Sequence, residues 1–189
     1  IIRYAFQLAQ TRKKHLICVT KSNAQRYTLT LWDECFERIA EDFPEVATER
    51  MLVDAMAARL ILRPESVDVA VASNMFGDIH TDIGGAISGS LGISPSVNIN
   101  PERQFPSMFE PVHGSAPDII GKGIADPIAM IWTGGLMLDF LGHKDAAALI
   151  LEAIKKVTGE GRCLGKDLGG SAKTTEITDA IIAKIREAR

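Results

Sequence analysis

Two carboxylates stand four residues apart in Gly77-Asp78-Ile79-His80-Thr81-Asp82. On a helix this spacing puts both on one face with Cβ atoms about 5–6 Å apart, where like charges repel by a few tenths of a kcal/mol. A solvated polar surface tolerates that cost, and a bound divalent cation reverses its sign. Oxygen-only ligands suit Mg²⁺ or Mn²⁺, which take one or two protein carboxylates and complete an octahedron with substrate oxygens and water; zinc is a poor fit. Asp54 follows Met51-Leu52-Val53 where a strand passes into a helix, so taken alone it reads as a helix cap. Lys21 directly follows the strand-like run His15-Leu16-Ile17-Cys18-Val19-Thr20. It is either a surface lysine or, held near a cation, a group that loses its proton readily enough to transfer it.

A second candidate is the loop Glu110-Pro111-Val112-His113-Gly114-Ser115-Ala116-Pro117-Asp118-Ile119. Its prolines stiffen it, its glycine permits close backbone approach, and its side chains can hydrogen-bond, which together describe a ligand loop. The chain has neither G-x-G-x-x-G nor a P-loop, so a nucleotide here is not held in the Rossmann or Walker manner. His113 reads equally as a loop histidine satisfied by its surroundings. If the loop binds a dinucleotide, an acid such as Asp118 accepts hydrogen bonds from both ribose hydroxyls and repels a 2′-phosphate, favouring NAD over NADP.

The elements that must position these groups alternate. Residues 2–9 repeat apolar side chains at helical spacing and lead into Arg12-Lys13-Lys14, cations suited to a helix C-terminus, and His15–Thr20 reads as a buried strand. Residues 31–42 form an amphipathic helix with Leu31, Cys35, Phe36 and Ile39 on its apolar face, ended by Pro44. Strands follow at 46–51 and 67–72, separated by a helix at 53–62 that Pro64 stops. Residues 74–91 are helical but rich in glycine (Gly77, Gly84, Gly85, Gly89), so a backbone or ligand is expected close by. Residues 92–126 read as a long functional loop with five prolines, and helices are expected at about 127–141, 144–158 and 174–187. The pattern is that of an α/β protein without internal repeats.

The chain has 189 residues, 46% of them hydrophobic, enough for one domain or parts of two. A formal net charge of -3 provides no basic field, which argues against a nucleic-acid partner. Cys18, Cys35 and Cys163 are odd in number and lack a Cys-x-x-Cys pair, so a reducing, cytoplasmic setting is expected rather than a disulfide framework. No apolar run approaches the roughly 20 residues that span a bilayer, so no membrane association is expected. The chain opens at Ile1 within helical sequence, and the expectation is of a larger protein that extends upstream.

Four segments in order, Lys21-Ser22-Asn23, Leu52-Val53-Asp54, Asn74-x-Phe76-Gly77-Asp78-Ile79-x-Thr81-Asp82 and Phe109-Glu110-Pro111-Val112-His113-Gly114-Ser115-Ala116-Pro117-Asp118-Ile119, strongly resemble the β-decarboxylating dehydrogenases. The likeness runs through nearly the whole chain. Within that family, Lys21–Arg26 and Asn98–Arg103, running into Ser107-Met108-Phe109, are most similar to the members acting on tartrate or D-malate. The resemblance implies an isopropylmalate dehydrogenase-like two-domain α/β fold with mixed central sheets, incomplete at the N-terminus. Residues 1–88 then belong to the smaller, dimer-forming domain and 89–189 to the larger, cofactor-binding one.

It also implies roles. Asp54, Asp78 and Asp82 bind Mg²⁺ or Mn²⁺ in a homodimer whose sites are shared, with Asp54 reaching across the interface. Lys21 takes the substrate hydroxyl proton, so Lys21 and Asp54 are the catalytic candidates, and Asn23 lies near the nicotinamide; Lys21 and Asn23 also reach across the dimer interface. Glu110, His113, Gly114, Ser115, Ala116, Asp118 and Ile119 belong to the NAD loop, with Asp126 at the adenine. There the family usually has Asn, and an ionised Asp accepts but cannot donate, which puts adenine pairing in question. The implied reaction removes a hydride from C2 of a small 2-hydroxy diacid to NAD, after which a metal-polarised 2-oxo acid loses CO₂. The family's protonating tyrosine and substrate-clamping arginines lie upstream, so this stretch alone is expected to be inactive. Two other readings stay open: a 3-isopropylmalate dehydrogenase, and a non-catalytic regulatory subunit of a heteromeric isocitrate dehydrogenase, against which the retained charges argue.

Overall fold

The structure is a computed structural model that describes residues 1–188 and divides into two compact units, Ile1–Gly84 and Gly85–Arg189. In the first unit the elements run α1 (Ile2–Gln10), β1 (His15–Thr20), α2 (Leu29–Ala40), β2 (Ala47–Leu52), α3 (Val53–Leu62), β3 (Val69–Val71) and the start of α4 (Asn74–Ile87). The strands form a parallel sheet in the order β2-β1-β3, with Thr20 opposite Leu52 and Cys18 opposite Val71. The central strand reads as a continuous apolar run because both its faces are covered, as in parallel sheets generally. Leu16 and Cys18 face a cluster with Phe6, Phe36, Phe43 and Val69, while Ile17 and Val19 face another with Leu29, Met51, Met56 and Phe76. Burial pushes the Cys18 thiol up to about 12, so it is inert at neutral pH.

Two details of this unit differ from the sequence expectation. The buried face of α2 comprises Leu29, Asp33 and Phe36, and Leu31 is 60% exposed. The helix starts two residues earlier than periodicity indicated, and the inward stripe follows Leu29, Trp32 and Phe36, leaving Leu31 on the solvent side. The cations after α1 do not serve its C-terminus. Arg12 Nε and the Lys13 N–H each donate to Asp68 at 3.0 Å, fastening the α1–β1 turn to the chain just ahead of β3.

The second unit contains a two-stranded antiparallel hairpin, β4 (Pro95–Asn98) and β5 (Met108–Pro111), followed by α5 (Ile128–Phe140), α6 (Lys144–Glu160) and α7 (Thr174–Glu187). The hairpin corrects the expectation of a long loop over 92–126. Proline in a short run demotes it as a strand, but Pro95 and Pro111 pair with each other at the open end of the ladder, where a missing N–H is tolerated. The core of this unit is helical and includes Ile128, Ala153, Ile154, Val157, Ile177 and Ile181. One glycine in α4 has a packing reason. A Cβ at Gly85 would lie 2.6 Å from Leu91 and 2.8 Å from Ser94, whereas at Gly77 or Gly84 it would meet nothing within 4 Å.

Candidate functional site

The parallel register explains why two residues distant in sequence meet. Strands β1 and β2 end together at the Thr20–Leu52 pair, so Lys21 and Asp54 emerge one and two residues beyond the same sheet edge. This is the carboxyl end of the strands, where α/β sheets place ligand sites. Lys21 Nζ donates to Asp54 Oδ1, and that bond first of all holds the Asp54 carboxyl below the usual carboxylate range. Asp54 is not the helix cap: the N-cap of α3 is Leu52, with no side-chain cap hydrogen bond, and Asp54 lies in the first turn. Arg59 grips Glu49 with both guanidinium nitrogens, at 2.7 and 2.8 Å, which fastens α3 to β2 and fixes where Asp54 emerges.

The chain after Lys21 is anchored by a group that periodicity did not single out. Ser22 Oγ donates to Asp33 Oδ2 at 2.6 Å, and Arg50 approaches the same oxygen at 3.6 Å. Asp33 is buried on α2, and both contacts fall on its Oδ2, while Oδ1 is buried without a hydrogen-bond partner. Asn23 stands exposed in the same turn.

Asp78 and Asp82 lie one turn apart on α4, both exposed, and Asn74 Nδ2 donates to Asp78 Oδ2 at 3.3 Å. His80, two residues from each, turns inward because two helical steps rotate a side chain by roughly 200°. It is 8% exposed, and its Nε2 lies 3.1 Å from the Val53 carbonyl oxygen, tying α4 to the start of α3 beside Asp54. That positioning role was readable only as an inward histidine between two outward carboxylates. Among the described residues no three His, Cys, Asp or Glu side chains converge as a metal cage within the chain. The Asp78–Asp82 pair by itself is an all-oxygen donor set of the kind Mg²⁺ or Mn²⁺ takes, with water and substrate completing the shell.

In the second unit a cleft of about 1190 Å³ is lined by His113 to Ala116, Ile119 and Asp126, and also by Ser90, Gly92, Lys166, Asp167, Thr174 and Thr175. Six of the sequence-nominated cofactor residues therefore share one concavity. Glu110 and Asp118 are outside its lining. Glu110 sits in β5, its carbonyl oxygen accepting from Thr133 Oγ1 at 3.3 Å, and Asp118 is exposed in the turn Pro117–Ile119. Ala116 enters that turn with φ 41°, a left-handed conformation that costs a non-glycine residue about 1 kcal/mol or more and shapes the loop. The far wall is pinned to α7: the Thr174 N–H donates to the Gly123 carbonyl at 3.0 Å and its Oγ1 to Ala125 O at 2.5 Å. No local motif marks Ser90, Lys166 or Asp167, which chain folding alone brings here.

Asp126 is 8% exposed. Its Oδ1 accepts from the Ile128 N–H at 2.8 Å at the start of α5, while Oδ2 is buried without a hydrogen-bond partner. Burial, reinforced by the charge of Asp167, pushes its carboxyl up to about 6 against the Ile128 N–H and His113. The folded chain thus holds a proton that the unfolded chain releases near pH 4. Stability from this group is greatest below pH 4 and falls as pH rises to about 6. Asp126→Asn keeps the bond to Ile128 and removes the buried charge. It should be more stable than the parent by about 1–3 kcal/mol at pH 7, with the gain vanishing near pH 4, as read from urea unfolding at both pH values.

This combination of a parallel sheet edge bearing Lys21 and Asp54 with a proline-framed ligand loop coincides with a known family. The chain belongs to the isocitrate/isopropylmalate dehydrogenase family, whose profile matches residues 1–181. It is 54% identical over 96% of its length to a protein of Agrobacterium vitis named "Probable tartrate dehydrogenase/decarboxylase", covering 51% of that protein. It is 51% identical over 96% of its length to "D-malate dehydrogenase [decarboxylating]" of Escherichia coli (strain K12), again covering 51%. The crystal structure of isocitrate dehydrogenase from Methylococcus capsulatus superposes with TM-score 0.93 at 37% identity, over 98% of this chain and 55% of that one. The chain thus spans about half the length of the curated relatives it matches.

Proposed function

We infer that the complete protein is an oxidoreductase that oxidises and decarboxylates a small 2-hydroxy diacid, tartrate or D-malate, with NAD as hydride acceptor and Mg²⁺ or Mn²⁺ as metal. The observation that carries this reading is the Lys21–Asp54 pair at the sheet edge, in a chain about half identical to relatives named for those two substrates. Lys21 accepts the hydroxyl proton. Asp78 and Asp82 hold the metal, with Asp54, Lys21 and Asn23 supplied together from a second copy of the chain in a homodimer. Asn23 lies near the nicotinamide, and the second-unit cleft receives the adenosine end of NAD, with Asp118 accepting from the ribose hydroxyls and Glu110 in the same cofactor loop. A cation and NAD bound there supply Lewis-acid stabilisation of an enolate and a hydride acceptor. Residues 1 to about 88 act as the dimer-forming domain and the rest as part of the cofactor domain. Among the described residues no helix is long and apolar enough to cross a membrane.

The test is a panel of D-malate, tartrate, isopropylmalate and isocitrate with the complete protein. Turnover should be highest with D-malate or tartrate, should prefer NAD to NADP, should stop in chelator and should return with Mn²⁺. Preference for isopropylmalate, or undiminished turnover in chelator, would overturn the reading. Asp78→Asn should raise the metal concentration needed for half-activity by about tenfold or more, a loss of about 1.4 kcal/mol, in a Mn²⁺ titration.

A further inference from the structure

The alternation of β1 continues two residues past its end. Leu16 and Cys18 pack on the side of the sheet covered by Phe36 of α2, and Ile17 and Val19 on the side covered by Met56 of α3. Lys21 then meets Asp54 of α3, and Ser22 turns the other way, donating to Asp33 Oδ2 of α2 at 2.6 Å. The backbone between them is closed into a tight turn: the Lys21 carbonyl accepts from the Ala24 N–H at 2.9 Å and the Gln25 N–H at 2.8 Å. Helix α2 is latched to the sheet by Arg50 of β2, which lies 2.8 Å from Glu37 and 3.6 Å from Asp33. Asp33 is 7% exposed, and its Oδ1 is buried without a hydrogen-bond partner. An unbonded buried polar atom costs stability, and an apolar side chain of similar volume would pack α2 against the sheet without that cost. Packing therefore does not explain the carboxyl at this position.

We propose that Asp33, acting through the Ser22 hydroxyl, is a positioning residue for the reaction: it locks the backbone between Lys21 and Asn23 and so fixes how the sheet edge presents these two side chains beside Asp54. This deepens the dehydrogenase reading and rests on the roles given there to Lys21 and Asn23. Asp33 is buried beneath the turn and touches neither substrate nor cofactor. Its effect is geometric. Residues 23–28 are all exposed, so without the bond to Asp33 the half-buried Ser22 joins a solvated run and the Lys21 side chain is held by Asp54 alone. A displacement of about 1 Å at a reacting group lowers a rate on the order of a hundredfold.

The experiment is steady-state kinetics of the complete protein on whichever acid of the substrate panel it turns over fastest, with NAD binding, Mn²⁺ titration and urea unfolding measured alongside. Asp33→Leu removes the acceptor and the buried charge together and leaves Arg50 its closer partner Glu37. It should lower kcat by about 10- to 100-fold, with NAD affinity and the half-activating Mn²⁺ concentration within about threefold of the parent and a urea midpoint no lower. Asp33→Asn, whose amide oxygen still accepts from Ser22, should keep kcat within about threefold of the parent. Ser22→Ala should reproduce the loss from the other end of the bond. Because the two residues act as one unit, the double variant Ser22→Ala/Asp33→Leu should be no slower than the slower single variant. Parental kcat in both Asp33→Leu and Ser22→Ala, a loss in Asp33→Asn as deep as in Asp33→Leu, or a double variant slowed by the product of the single losses would overturn the positioning role. So would a fall in kcat matched by equal losses of NAD and Mn²⁺ binding, since a general loosening moves all three together. Each of these leaves the dehydrogenase reading standing. Absence of turnover of every acid by the parent would overturn that reading and the positioning role with it.

Discussion

Lys21→Ala in the complete protein is expected to lower kcat by about 10²–10⁴-fold, the usual contribution of a positioned proton-transfer group, while NAD affinity changes little. The expectation follows from placement. Lys21 leaves the end of the buried strand β1 at the edge where α/β sheets put their ligands, and its ammonium is held by Asp54. Lys21→Arg separates chemistry from architecture. Arginine keeps the positive charge and can pair with Asp54, but it does not deprotonate, so a purely structural lysine would be rescued and a proton-transferring one would not. Steady-state kinetics of both variants with saturating substrate, together with equilibrium NAD binding, decide the matter. Near-parental turnover in Lys21→Arg would remove Lys21 from the chemistry.

Phe6→Ala is expected to destabilise the chain by about 3–5 kcal/mol, the range for emptying a large aromatic site. Phe6 is 0% exposed on α1, its ring stacked on Phe43 at 5.0 Å between centroids and tilted against Phe36 at 5.2 Å. Aromatic pairs of this kind add about 0.5–1.5 kcal/mol beyond area burial. The cluster contains Leu16 and Cys18 of β1, so loosening it also loosens the strand that delivers Lys21. Urea unfolding should show a lower midpoint with an unchanged m-value. A loss below about 1 kcal/mol would mean that the neighbouring rings collapse into the space.

Much of the first unit was legible in the sequence for a simple reason. Strand β1 is apolar at consecutive positions because it is covered on both faces, and the spacing of Asp78 and Asp82 needs only a helix to put them on one side. Helices α3 and α7 fall at the expected residues, since Pro64 stops the first and Glu176 accepts from the Lys173 N–H at the start of the second. On α2, Cys35, Phe36 and Ile39 turn inward as expected and Leu31 does not, while Asp33, which counts as polar in any periodicity, turns inward to Ser22 and Arg50. The hairpin β4–β5 was invisible because its strands have four residues each, the first starting and the second ending on a proline.

The sequence by itself determined the family, the residue types able to hold a cation or move a proton, and the loop that lines one side of a nucleotide-sized cleft. Local order suffices for these, because helical spacing and turn chemistry act over a few residues. Only the tertiary structure decided that Lys21 meets Asp54, that His80 points inward to the Val53 carbonyl, and that Ser90 donates to Asp167 in the wall of the second-unit cleft. Those contacts join positions 33, 27 and 77 residues apart, which no periodicity records. Strand register sets the first, and the packing of helices and turns sets the others. The charge state of Asp126 belongs to the same class, since a carboxyl near 6 is produced by burial and by a neighbouring charge, neither of which is a property of the residue itself.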